Sequence, residues 1–170
     1  MKEERDVKRV KKYFPPFPVA LVTVDENIIS VGLIHVFSFE PPMIGIGISP
    51  RRYSHALLKK TGDFGVNIPT LGMMDAVEGC GTTSGRTVKK FEAFSLTPKK
   101  PAKIRSLLIE ECPVNIECKV IKRITCGSHD WFIGEVVAIR SDEHYNYIEA
   151  LLYGNREYRR VGEALCRRKK

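Results

Sequence analysis

A chain of 170 residues, 43% hydrophobic and 28% charged, has the composition of a soluble globular protein, long enough for one domain that buries roughly 70% of its unfolded surface. The net charge of +8 sits at the ends: residues 1–12 carry six Lys/Arg against three Asp/Glu, residues 156–170 carry seven against two, and residues 13–155 are neutral. This excludes an extended basic groove in the body and reads the ends as solvated tails, roughly 1–12 and 163–170, on a single domain spanning 1–170.

The basic start lacks the apolar stretch of a secretory signal, and no apolar run is long enough to cross a membrane, so a cytoplasmic protein with no membrane partner is expected. Aromatics and prolines from Tyr13 to Pro18 lead into Val19–Val24, a β-branched run suited to a buried strand. Asp25, Glu26 and Asn27 supply a turn, and the chain from Ile28 pairs back as a hairpin. After the double proline Pro41-Pro42, Met43–Ile48 alternates isoleucine with glycine, so one strand face is bare and open to a backbone or a flat ligand.

A short helix, 54–61, follows, with Ser54 as its N-cap and Gly62 where a helix stops. Free N–H groups of its first turn, beside Arg51 and Arg52, suit an anion such as a phosphate. The competing reading is a plain cap with solvated arginines. Phe64–Ile68 reads as a strand closed by Pro69, and Leu71–Val77 as helical with Met73, Met74 and Val77 on its apolar side. Gly79–Gly85 reads as a glycine-rich loop with neither Walker nor dinucleotide spacing, able to present N–H groups, with Ser84 and Lys90 nearby, to an anion.

Val114–Ile124 and Trp131–Ile139 are two alternating strands joined by a polar turn, Thr125–Asp130, with His129 at its mouth. Tyr145–Leu152 reads as a short helix or irregular run, and Tyr153–Tyr158 as a turn around Gly154. The five cysteines, Cys80, Cys112, Cys118, Cys126 and Cys166, lack metal-ligand spacing, so no metal site and no disulfide framework are expected. Cys118 alternates with Val114, Ile116 and Val120 as a core residue, and Cys80, between two glycines, is the one cysteine open to a reactive role. Short strands with brief helices and no regular alternation indicate a mainly β protein, a barrel with helical decoration.

Five segments in order carry a resemblance: Asn27–Pro42, Ile48–Ser54, Phe64–Pro69, Cys80–Arg86 with Lys90-Phe91, and Gly127–Val136. From about Pro18 to Gly162 the chain resembles the flavin reductase-like proteins, the FMN-binding split β-barrel family that includes flavoredoxins, ferric reductases and the reductase components of two-component monooxygenases. The resemblance implies FMN as cofactor and a homodimer with FMN near the subunit boundary. Asn27 opens the first segment and falls in the cofactor set. Ser30, Val31, Gly32 and Leu33 would line the ring and ribityl chain, and Ser49, Arg52 and Ser54 would hold the phosphate. Ser84 and Lys90 would approach from the glycine-rich loop, Tyr158 would close over the site, and His129 would stand where a nicotinamide arrives, as the one catalytic residue. Two positions depart from the family: Leu33 where tryptophan is frequent, and Lys89 where aspartate often precedes the Lys-Phe pair.

The expected function is an NAD(P)H-dependent flavin or ferric oxidoreductase, with NADH or NADPH as donor. The alternative is a flavoredoxin-type carrier that exchanges electrons with a redox partner protein. A basic barrel that binds RNA or DNA is the competing class, opposed by the neutral body and the lack of a basic and aromatic strand stripe.

Overall fold

The computed structural model describes residues 2–166, so Met1 and residues 167–170 of the basic C-terminal segment lie outside the described residues. A 3-10 turn (Val7–Arg9) runs into helix α1 (Val10–Tyr13), followed by strands β1 (Phe17–Pro18), β2 (Ala20–Val24), β3 (Asn27–Val31), β4 (Ile34–Phe39) and β5 (Pro42–Ile48). Helix α2 (Tyr53–Thr61), strand β6 (Asp63–Ile68), a 3-10 turn (Leu71–Met73) and helices α3 (Met74–Thr82) and α4 (Lys90–Ala93) come next. Strands β7 (Pro98–Lys99), β8 (Leu108–Ile109), β9 (Val114–Cys126) and β10 (His129–Ser141), a 3-10 turn (Tyr147–Glu149), and strands β11 (Leu151–Gly154) and β12 (Glu157–Arg160) complete the chain. Among the described residues no helix is long and apolar enough to cross a membrane.

Seven strands form one antiparallel sheet in the order β3-β2-β6-β9-β10-β5-β4. Its edges, β3 and β4, are joined by only Gly32 and Leu33, and the Gly47 N–H donates to the Leu33 carbonyl at 2.8 Å. Edges so closely tethered force the sheet to curl into a barrel that stays open along β3. The composition of β2 follows from its place in this curl. Ala20, Val22 and Val24 face the barrel interior with Ile46, Phe64 and Phe132, while Leu21 faces a second cluster with Val77, Cys80 and Leu151. A strand buried on both faces reads as a continuous apolar run, as Val19–Val24 does.

The long hairpin is present and extends further than its pattern, to Cys126 and from His129, so that Gly127 and Ser128 alone lie between the strands. Cys118 is fully buried in the barrel core, as its alternation indicates.

Four local expectations are corrected. Arg52, not Ser54, is the N-cap of α2; Ser54 is the helix's second residue, its hydroxyl accepting from Asn27 Nδ2 at 2.7 Å. The segment Gly79–Gly85 is helical through Thr82, because Gly79 lets the Phe94 ring pack where a Cβ would overlap it. Cys80 is therefore a buried helical residue, and burial pushes its thiol up to about 11, away from the thiolate that reactivity requires. On β5 the space above Gly45 is filled by the Phe37 ring of the neighbouring strand, so of the bare face only Gly47 borders a cavity.

Tyr153–Tyr158 is more than a turn. It belongs to a hairpin, β11 with β12, reversed through Asn155 and Arg156 at φ 52° and 66°, and β11 also pairs with β1. Nor is the N-terminal basic stretch only a solvated tail, since its helical turns reach the site described next.

Candidate functional site

Two adjoining cavities lie at the open edge of the barrel, and Ile29 of β3 and Arg52 at the start of α2 line both. The smaller, about 140 Å³, is closed by the β3 start (Asn27), the α2 start (Arg51, Arg52, Ser54), the segment after α3 (Ser84, Gly85) and Lys90. The larger, about 540 Å³, is lined by β3 and its exit from Ile29 to Leu33, by the β5 end from Gly47 to Ser49, by Ser128 and His129 of the long hairpin, and by Tyr153. Its outer wall comes from the N-terminus: Val10, Lys11, Phe14 and Phe17. Among the described residues no carboxylate lines either cavity.

The smaller cavity has the chemistry of an anion site. Asn27 is 8% exposed, and its Oδ1 is the single buried side-chain polar atom without a partner among the described residues. A buried amide oxygen left unpaired is costly. A ligand hydroxyl would satisfy it, as would a phosphate oxygen if the amide were reversed to accept from Ser54. At Gly85 a Cβ would overlap that oxygen and stand 2.7 Å from Asn27 Cγ, so the absence of a side chain there keeps the cavity open.

Lys90 is 3% exposed; its ammonium donates to the carbonyls of Ile28 and Cys80, both at 2.7 Å, leaving one of its three protons for the cavity it lines. Burial, and then the charge of Arg52, push the Lys90 pKa below the ordinary lysine value. An anion would offset both effects. Arg86 lies over the ring of Tyr53 at 5.3 Å and covers the outer side of this helix start.

The larger cavity is bounded by the edge strand β3, whose backbone groups not engaged with β2 remain available to a ligand. Ser30 is committed elsewhere: its hydroxyl donates to the Val77 carbonyl and ties β3 to α3. His129 shares a hydrogen bond between Nδ1 and Ser128 Oγ at 2.8 Å. Burial, then the charges of Lys11 and Arg52, hold its pKa below that of a free histidine. The neutral imidazole is thus favoured in the fold, and the unfolded chain takes up this proton first as acid is added. Stability from this group is fully present above pH 6.5 and falls as pH drops through that value. We expect ring-proton NMR to give a His129 midpoint below 6.5, and Lys11→Ala to move it back toward that value.

Behind His129, Asp130 and His55 form a buried pair, Oδ2 to Nε2 at 2.8 Å, with Arg123 Nε 3.7 Å from the same carboxylate oxygen. The hydrogen bond from His55, then that from Thr125, hold Asp130 below the usual carboxylate range. His55 follows Ser54 in α2, so this bond fixes the helix start against the strand that carries His129.

Of the residues singled out from sequence, Asn27, Arg52, Ser54, Ser84 and Lys90 meet at the smaller cavity, and Ser30, Val31, Gly32, Leu33, Ser49, Arg52 and His129 meet at the larger. Tyr158 lines neither. Its hydroxyl donates to Glu78 at 2.8 Å and its ring packs 4.9 Å from Tyr153, which is the aromatic that borders the cavity. Sequence reasoning missed Tyr153, Gly85 and Lys11. The glycine pattern contained a signal for Gly85, whereas Lys11 reaches the site only through tertiary contact.

Residues 14–162 match the flavin reductase like domain family. An uncharacterized protein of Archaeoglobus fulgidus is 35% identical over 113 residues, 66% of this chain and 64% of that relative. The ferric-chelate reductase (NAD(P)H) of the same organism is 30% identical over 99 residues, 58% of this chain and 57% of the relative. The chain thus spans less than two thirds of the length of these two relatives. Among solved structures, the FMN-binding protein of Thermus thermophilus with bound p-hydroxybenzaldehyde superposes with a TM-score of 0.87 at 29% identity, covering 99% of this chain and 100% of the other. Flavoredoxin of Methanosarcina acetivorans superposes at 0.88 and 26% identity, covering 98% and 95%. With the family match running from the N-terminal wall of the larger cavity to the end of the last hairpin, the chain belongs to the flavin reductase-like family and has its split-barrel fold.

Proposed function

We propose that this chain, 1–170 as one domain, is an FMN-binding, NAD(P)H-dependent oxidoreductase that delivers electrons to free flavin or to a ferric chelate. The observation that carries the reading is the smaller cavity: cationic, free of carboxylates, and holding the orphaned Asn27 amide beside a larger apolar cavity. These residues fit the cofactor. Arg52, Ser54, Ser84 and Lys90 would hold the phosphate, Asn27 the phosphate or the ribityl chain, and the β3 exit from Ser30 to Leu33 the ring. When bound, the flavin supplies hydride and single-electron chemistry.

The chain's own part is positioning and electrostatics. Arg52, which lines both cavities, adds positive charge toward the ring and favours its reduced, anionic state, while Lys90 acts at the phosphate end. Neutral His129 offers a hydrogen bond to the amide of an incoming nicotinamide. The names of the FMN-binding protein and the ferric-chelate reductase (NAD(P)H) among its relatives support cofactor and donor.

FMN should quench on titration with the protein, and the bound flavin should bleach under nitrogen when NADH or NADPH is added. A folded protein that leaves FMN fluorescence unchanged overturns the cofactor assignment. The likeness to flavoredoxin favours a second reading, an electron carrier serving a redox partner protein. Bound flavin that both nicotinamides leave yellow, but dithionite bleaches, would select it. A homodimer belongs to the same proposal: Phe39 on edge strand β4 is 90% exposed, with Val36 and Phe37 half-exposed beside it. Such an apolar edge calls for a cover, and sedimentation giving a monomer would remove it.

A further inference from the structure

We propose that the larger cavity takes a second, multiply anionic small ligand whose negative group pairs with Lys11, so that the N-terminal segment acts as a charge-reading wall of the site. This rests on the flavin reading above, and it assigns a function to a stretch that its sequence marks only as a basic tail.

The wall is built in an unusual way. No residue of the Val7–Arg9 turn or of α1 is buried, and Val10 and Phe14 are 59% and 56% exposed, yet both line the cavity. Phe14 is held in place by stacking on Phe17, with centroids 5.1 Å apart and planes within 9°. Apolar side chains turned to a cavity of about 540 Å³ gain little from the fold itself and much from whatever fills that space.

Charge identifies the filler. In the smaller cavity, Arg51, Arg52 and Lys90 would be balanced by the cofactor's phosphate. Lys11 is not part of that cavity. It lines the larger cavity only, and among the described residues no carboxylate lies within ion-pair distance of it. It is near enough to His129 for its charge to depress the imidazole's proton affinity. A cation facing a low-dielectric recess with no anion on its walls concentrates negative ligands there. The ligand is therefore a small redox molecule with phosphate or carboxylate groups, and two sources share that chemistry: a nicotinamide nucleotide, through its phosphates, or a ferric carboxylate chelate.

The test uses FMN-saturated protein and the variants Lys11→Glu and Lys11→Arg. Calorimetric titration with NADP+, which binds without reacting, should show affinity reduced at least about tenfold in Lys11→Glu, the scale of one charge-assisted contact, and restored in Lys11→Arg. The preference for NADPH over uncharged N-benzyl-1,4-dihydronicotinamide should fall by a similar factor. A loss confined to NADP+ and NADPH assigns the site to a nucleotide, and a loss confined to reduction of ferric citrate assigns it to the chelate; either supports the inference. Equal losses for charged and uncharged donors, unchanged affinity for both anions, or an equal loss of FMN affinity would overturn it. Failure of the unmodified protein to bind FMN is a separate result that removes the flavin reading instead.

Discussion

Gly85→Ala should weaken FMN binding about 100-fold while leaving the melting temperature close to that of the unmodified protein. The backbone at Gly85 is not in the left-handed region, so alanine meets no conformational strain there. It meets Asn27. The new methyl would overlap Oδ1 and lie 2.7 Å from Cγ, with the Tyr53 ring 3.1 Å away on the other side. Asn27 cannot withdraw freely, because its Nδ2 is bonded to Ser54 at 2.7 Å. The methyl therefore displaces the amide and occupies part of a cavity of about 140 Å³.

Losing two contacts of charge-assisted strength amounts to about 3 kcal/mol, or roughly two decades of affinity. The fold loses about 1 kcal/mol with the Asn27–Ser54 bond and regains a similar amount from the stiffer unfolded chain. Riboflavin, which lacks the phosphate, is the control. Its weaker binding should change little if Asn27 meets the phosphate and fall as well if Asn27 meets the ribityl chain, and a variant that binds FMN as tightly as the unmodified protein would show that neither group reaches this cavity.

Lys90→Met should cost about 2–4 kcal/mol of stability as well as most of the FMN affinity, since methionine fills similar space and donates nothing. The ammonium joins α4 to the carbonyl of Ile28 in β3 and that of Cys80 in α3, and both acceptors lose a charged donor when it is removed. The urea midpoint measures the first effect and FMN quenching the second. A midpoint that holds while FMN binding disappears would make Lys90 a ligand contact only; the reverse would make it purely a structural brace.

What could be read in the sequence was what depends on neighbours along the chain. Val19–Val24, the long hairpin and the helix at 54–61 each follow from a local pattern: a continuous apolar run, strict alternation, and a helical stretch ended by Gly62 in the left-handed conformation. The gathering of Arg51, Arg52 and Ser54 at one helix start was legible for the same reason, although the capping role assigned to Ser54 was not the one it performs. Its hydroxyl is taken by Asn27, a residue 27 positions away. Helix α3 was hidden because its glycines mimic a loop, when Gly79 is there to admit Phe94. The last hairpin was hidden because Arg156 occupies a positive-φ turn position where glycine or asparagine is the usual signal. Lys11 gave no signal at all, since a lysine among lysines is set apart only by the cavity it lines in the fold.

The bond between His55 and Asp130 gives the two cavities a fixed spacing. One end of that gauge is the helix start beside Ser54, the other the strand end carrying His129, and neither slides without breaking a contact buried from water. A molecule lodged in both compartments would thereby be measured along its length: a tail too short would leave the arginines unmatched, and one too long would drive its aromatic head out of line with the imidazole.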